Sequence, residues 1–268
     1  MKTRLITTAI GVPFLIFVLV VRGWFAELMI AILSLIALYE SYRALKTAGY
    51  HVCEWGGYAA AAVMWPLSRF MGVLDPLLLV VAAMGISMTG IILREKPSFP
   101  DAAASVYPLF TCFLPMSMFM MMLNSTYGQV PGIALITMAF CIAYGGDGAA
   151  YFGGRALGRH KLCPNVSPKK TVEGSVCGFI GSLVMALLCR LMFVNVFRMA
   201  MPGIPATIAL AIVGSAAGQI GDLTASLLKR YSGIKDYGKL FPGHGGVMDR
   251  FDSVIFTLIV LYCYTLVL

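Results

Sequence analysis

SLLKRYSGIKDYGKLFPGHGGVMDRFD, residues 226–252, is charged, rich in glycine and wedged between two apolar runs. The whole chain of 268 residues is 59% hydrophobic and holds only 20 Lys and Arg and 12 Asp and Glu, yet five of those bases and three of those acids fall in this one stretch. A chain this apolar, with a mean hydropathy of +0.86, is an all-α polytopic integral membrane protein, because helices satisfy their own backbone groups inside a bilayer. Charged side chains beside a bilayer are costly unless they are solvated, paired or bound to something. The stretch also carries a His-Gly-Gly turn at 244–246 able to aim backbone N–H groups at an anion. The mixture suits a site that grips phosphates with cations and a metal ion with carboxylates.

Working outward, apolar runs broken by charge or by Gly and Pro predict nine helices, at about 5–22, 24–45, 56–73, 76–93, 102–123, 131–152, 174–197, 204–230 and 250–268. Asp75 with Pro76 reads as an N-cap followed by a helix start, Asp101 can cap the fifth helix, and Pro131 can open the sixth. No clear cleavage site follows the first run, which reads as a retained helix rather than a signal peptide. If the N-terminus is cytoplasmic, alternation puts sixteen of the twenty Lys and Arg on the cytoplasmic side, leaves Arg22, Arg69 and Arg198 opposite, and leaves Arg190 within a span. That bias accounts for the net charge of +8 without nucleic acid and predicts a C-terminus on the opposite face. The seven cysteines have no metal-binding spacing and read as small hydrophobes. The Met-rich run 116–122 reads as lipid-facing or core filler. Residues 1–130 form an N-terminal region of about five helices. Residues 131–268 form the C-terminal region, with about four helices and two cytoplasmic polar loops, where polar content concentrates. Glu27 and Glu40, in the second run, carry little functional weight on this reading.

Three polar groupings stand out in the second half. Ser215, Gln219, Asp222 and Ser226 fall at i, i+4, i+7 and i+11 on one helical stripe, with the small residues Gly214, Gly218, Gly221 and Ala225 beside it. The stripe is either an interhelical hydrogen-bond network or a site. Tyr144, Asp147 and Tyr151 share another face and admit the same two readings. The loop 153–174 carries five bases, with Ser167, Lys169, Lys170 and Thr171 in a run that suits either phosphate oxygens or anionic headgroups. Asp249 stands where it can cap the last helix, although capping alone does not explain Asp249 and Asp252 flanking Arg250.

Residues 226–252 resemble the signature of the phosphatidate cytidylyltransferase family. Ser226, Leu228, Lys229, Arg230, Lys235, Asp236, Gly238, Phe241, Pro242, His244, Gly245, Gly246, Val247, Asp249, Arg250, Phe251 and Asp252 fill its fixed positions. Upstream, Asp147 with Ala150-Tyr151-Phe152-Gly153, the 167–171 run and Glu173-Gly174 are similar to the family's other landmarks. The resemblance implies transfer of the cytidylyl group of CTP to phosphatidic acid in a cytoplasm-facing polar cavity, with Mg²⁺ and a second cation such as K⁺, in a homodimer within the bilayer. It places Asp147, Lys170, Asp222, Lys229, Lys235, Asp236, His244, Asp249, Arg250 and Asp252 in catalysis. It places Tyr151, Ser167, Lys169, Lys170, Thr171, Glu173, Gln219, Ser226, Arg230, Lys239, Gly245 and Gly246 at the substrates. Asp222 and Asp249 are the expected Mg²⁺ ligands. On this view either acid is costly without its metal, so neutralising it lowers stability little or even raises it. A polyprenol kinase-like enzyme and an anion or phospho-solute transporter are the alternatives. The latter calls for paired helix breaks that the first half lacks.

Overall fold

The computed structural model describes residues 17, 21, 23–72, 75–241, 243 and 245–268, so the run at 5–22 lies outside the described residues except for two positions. The chain divides into two compact units, Met1–Leu123 with Leu228–Phe251, and Asn124–Leu227 with Asp252–Leu268. The charged stretch from Leu228 groups with the N-terminal helices, an arrangement that chain order does not suggest.

In the first unit, α1 (Gly23–Thr47), α2 (Trp55–Pro66), α3 (Pro76–Ile92) and α4 (Phe99–Leu123) form a helical bundle. Asp75 accepts from the N–H groups of Leu77 and Leu78 at 2.9 and 3.1 Å, which is the expected cap. Ser98, and not Asp101, caps α4. Asp101 lies in its first turn and accepts from the His51 N–H at 2.9 Å. Pro66 and Pro108 are each followed by a π-helical turn, Leu67–Met71 and Leu109–Phe113, because a proline inside a helix has no N–H to give. Met116, Met120 and Met122 are fully buried with Leu38, Tyr42 and Phe113, so the Met run is core filler.

In the second unit a short ribbon, β1 (Thr126–Tyr127) with β2 (Val130–Pro131), leads into α5 (Gly132–Leu157). The polybasic loop is not irregular. It folds as an antiparallel ribbon, β3 (Lys161–Cys163) with β4 (Ser167–Thr171), and Thr171 Oγ1 caps α6 (Val172–Asn195) by accepting from the Gly174 N–H at 3.1 Å. Then come α7 (Ile204–Tyr231), whose residues through Leu227 belong here, and α8 (Met248–Thr265), which belongs here from Asp252. By length and composition α1, α4, α5, α6 and α7 can each cross a membrane, and α3 is a shorter apolar helix.

Helix α6 shows why the bundle suits lipid. Val176, Ile180, Val184 and Leu188 are exposed at i, i+4, i+8 and i+12, whereas Gly174, Gly178, Ser182, Ala186 and Cys189 are buried. Large apolar groups face outward and small ones pack inward, since hydrophobicity alone gives no reason for helices to associate in lipid. A Cβ on Gly145 would meet Met185, one on Gly146 would meet Ser182, and one on Gly181 would strike Ala149 and the Gly145 carbonyl. Gly218 and Gly221 of α7 give the same close approach to Thr257 and Phe256 of α8.

Gly181→Ala is therefore expected to destabilise by about 1–3 kcal/mol through overpacking. Gly148→Ala, which opens onto empty space, should hold or raise stability through helix propensity. Thermal unfolding in detergent checks the contrast, and equal shifts in the two variants would count against close packing at Gly181.

Candidate active site

In the first unit, the stretch after α7 wraps around two acids. Gly243 and Gly245 take φ of +77° and +86°, a left-handed turn open to glycine and strained for other residues, and Phe241 N–H donates to the Gly245 carbonyl at 2.9 Å. Asp249, in the first turn of α8, has a side chain only 3% exposed. Its Oδ1 takes Lys229 Nζ at 2.9 Å, while Oδ2 accepts the Tyr237 and Gly246 N–H groups at 2.7 and 2.9 Å. Lys229 also lies 5.5 Å from the Tyr237 ring centroid, a cation–π contact.

The second acid is Glu40 of α1. It accepts the N–H groups of Val247 and Met248 at 3.2 and 2.9 Å. Sequence reading gave it, with Glu27, little functional weight, and its one available signal was an acid within an apolar helix. The turn's N–H groups at 246, 247 and 248 thus point at the protein's own carboxylates. Lys235, Asp236 and Lys239 of the same stretch are exposed. Arg230 and Arg250 are exposed too, and His244 lies outside the described residues.

In the second unit the polar stripe of α7 faces α6 and β4. Ser215 Oγ lies 3.0 Å from Ser182 Oγ, and the Ser175 hydroxyl donates to Gln219. This part of the stripe is the interhelical network. At its end Asp222 Oδ2 meets Lys170 Nζ at 2.5 Å, and Ser226 Oγ donates to Asp222 Oδ1 at 3.3 Å. Lys170 and Asp222 keep 27% and 24% of their side-chain surfaces exposed. Ser253 Oγ donates to Asp147 Oδ2 at 2.9 Å, and Asp252 Oδ1 accepts the Ser253 N–H at 2.9 Å. Tyr144 and Tyr151 turn outward, Lys169 is exposed and Ser167 is half-buried.

Glu173 braces the basic ribbon. It accepts the Arg159 N–H at 3.0 Å and lies 2.6 Å from His160 Nδ1, so its carboxylate and the Thr171 hydroxyl are engaged in holding β3, β4 and the start of α6.

Each expected metal-binding acid is paired with a lysine inside its own unit. Among the described residues no group of three or more His, Cys, Asp or Glu is assembled around one point. Mg²⁺ does not need one, because it is held by one or two carboxylates while water and phosphate complete its shell. Asp222, partly exposed and held by an ammonium and a hydroxyl, fits such an ion. Asp249 offers oxygen donors with three of about four lone-pair positions in use.

These features define a class: a multi-pass helical membrane protein whose lysines and aspartates pair where apolar helices meet polar loops. The sequence profile of the cytidylyltransferase family matches residues 2–268. A phosphatidate cytidylyltransferase of Staphylococcus haemolyticus is 32% identical over 268 residues, 96% of each chain. One from Bacillus subtilis is 42% identical over 131 residues, 49% of this chain and 47% of that one. One from Haemophilus influenzae is 42% identical over 129 residues, 48% of this chain and 44% of that one. The chain belongs to the cytidylyltransferase family.

The two aspartates differ in what they hold, which revises for Asp249 the expectation that neutralising it lowers stability little. Removing one partner of a buried pair costs about 3–5 kcal/mol. Asp249→Asn replaces an acceptor of backbone N–H groups and of Lys229, so it should lower the unfolding temperature clearly. Asp222→Asn, in a pair open to solvent, should cost about 1 kcal/mol or less. Thermal unfolding of both variants in detergent distinguishes them, and similar shifts would show that Asp249 does not hold the turn.

Proposed function

We propose that this protein transfers the cytidylyl group of CTP to phosphatidic acid, giving CDP-diacylglycerol and pyrophosphate for phospholipid synthesis. The observation that carries the reading is the Lys170–Asp222 pair at 2.5 Å. It sets a phosphate-binding cation from the basic ribbon against a carboxylate on a membrane helix, in a chain that is 32% identical over nearly its whole length to a phosphatidate cytidylyltransferase.

The chemistry is a phosphoryl substitution. A phosphate oxygen of phosphatidic acid forms a bond to the α-phosphorus of CTP, the α–β bridging bond breaks, and pyrophosphate leaves with its electrons. The attacking oxygen is already anionic near neutral pH, so no strong base is required. The work is to bring two anions together and to stabilise charge on the departing group. Lys169, Lys170, Lys235, Lys239 and Arg230 suit the phosphates, with Ser167, Tyr151, Gln219 and Ser226 as hydrogen-bonding groups. Asp147, Asp236, Arg250, Asp252 and His244 complete the charged set. Asp222 and Asp249 are the residues that would hold Mg²⁺, which would neutralise nucleotide phosphates, and a second cation such as K⁺ would add to that. Lys170 and Lys229 sit on the same carboxylates, so ammonium and metal compete for those oxygens, and a lysine displaced there is available to a phosphate.

Nine spans, a cytoplasmic N-terminus with a cytoplasm-facing catalytic cavity, a C-terminus on the opposite face and a homodimer complete the proposal. The sixteen-to-three basic bias supports the orientation. A reporter active only outside the cytoplasm and fused after Leu268 should work, and a fusion active only inside would mean an even number of spans.

Detergent-purified protein given labelled CTP, phosphatidic acid and Mg²⁺ should form a CDP-lipid that thin-layer separation resolves, and its absence would sink the reading. Lys170→Ala should lower turnover by about a hundredfold, a loss of about 3 kcal/mol of charge stabilisation, with expression near wild type. Activity within a factor of about two would instead assign Lys170 to lipid headgroups.

A further inference from the structure

Glu40 is nearly fully buried, at 3% exposure, on an apolar helix more than two hundred residues before the turn it meets. A carboxylate in that setting is expensive unless hydrogen bonds repay its desolvation. Its two oxygens accept the N–H groups of Val247 and Met248, one each. Those are the leading N–H groups of α8, which carry the positive end of the helix dipole. Glu40 therefore acts as an N-cap supplied from another helix. The fit is close from both sides of the loop. A Cβ added to Gly238 or to Gly246 would run into the Glu40 carboxylate, so bare backbone is required at both positions. One helical turn along α1, Arg43 Nη2 donates to the Tyr237 carbonyl at 3.0 Å, while the Tyr237 N–H donates to Asp249. Glu40 and Arg43 hold one side of the loop, and Asp249 and Lys229 hold the other.

We infer that Glu40 is a positioning residue for cytidylyl transfer: it fixes the turn 245–248 and so sets where Asp249 and its Lys229 partner point. The inference rests on the proposed activity, with Asp249 in its site. A carboxylate is required because both oxygens accept. An amide at this position offers one acceptor and turns its NH₂ toward a backbone N–H, leaving a donor unpaired in a buried place.

Glu40→Gln separates this role from simple capping. Hydrogen exchange resolved at Val247 and Met248 should speed up by about tenfold or more as their acceptor is lost. Turnover per folded molecule should fall by about tenfold or more, with KM for CTP and for phosphatidic acid within about twofold, because Glu40 is buried against the turn and acts through Asp249. Arg43→Met, which leaves both carboxylates in place, should lower turnover in the same direction but less. Unchanged exchange at 247–248 in Glu40→Gln would overturn the contact. Faster exchange with wild-type turnover in Glu40→Gln would make Glu40 a cap and nothing more. If the wild-type protein forms no CDP-lipid, the proposed activity fails and this inference falls with it. An active wild type with an equally active Glu40→Gln sinks the inference alone.

Discussion

Four backbone N–H groups donating to two buried carboxylates are the constraint on which the charged stretch depends. Tyr237 and Gly246 donate to Asp249, and Val247 and Met248 donate to Glu40. Each acid repays its burial with hydrogen bonds to backbone that would otherwise be unpaired, within the loop at Tyr237 and around the start of α8 at 246–248. Asp249 also takes the Lys229 ammonium, so the buried charge is balanced where the loop is tightest. Gly238, Gly245 and Gly246 follow from this arrangement, because any side chain there would collide with one of the two carboxylates. The glycine-rich turn is thus built around anions that the protein supplies itself.

The second unit solves a different problem, holding apolar helices together where lipid is as apolar as they are. It uses small residues for close approach and hydroxyl and amide groups for specificity, with Ser182, Ser215, Ser175 and Gln219 linking α6 to α7. The same stripe then becomes charged, and at Asp222 it meets the basic ribbon through Lys170. Packing and candidate site are one continuous feature of α7: neutral hydrogen bonds where the surroundings are dry, and an ion pair where solvent reaches. A cytidylyltransferase needs that gradient, since its lipid substrate and its nucleotide belong to different phases.

Much of this is legible in the chain itself. The apolar runs, the Asp75-Pro76 start and the stripe at 215–226 follow from periods and caps that depend on neighbours a few residues away. The signature at 226–252 names the family because its residue types and spacings are read directly from the chain, without reference to distant contacts. The π turns after Pro66 and Pro108, the ribbon within the loop 153–174 and the cap at Ser98 depend on finer local competition. Asp101 lost the capping role because Ser98 stood one turn earlier and the His51 N–H claimed the carboxylate.

The sequence by itself determined that this is a helical membrane enzyme of the cytidylyltransferase family, and it marked the aspartates and lysines of the candidate site. Only the tertiary structure decided what those groups hold. Glu40 and Val247 are 207 positions apart, and Lys170 and Asp222 belong to different elements, so no periodicity relates either pair. The hydrogen bond and the ion pair act over about 3 Å, and which groups come within that reach is settled by how the helices pack.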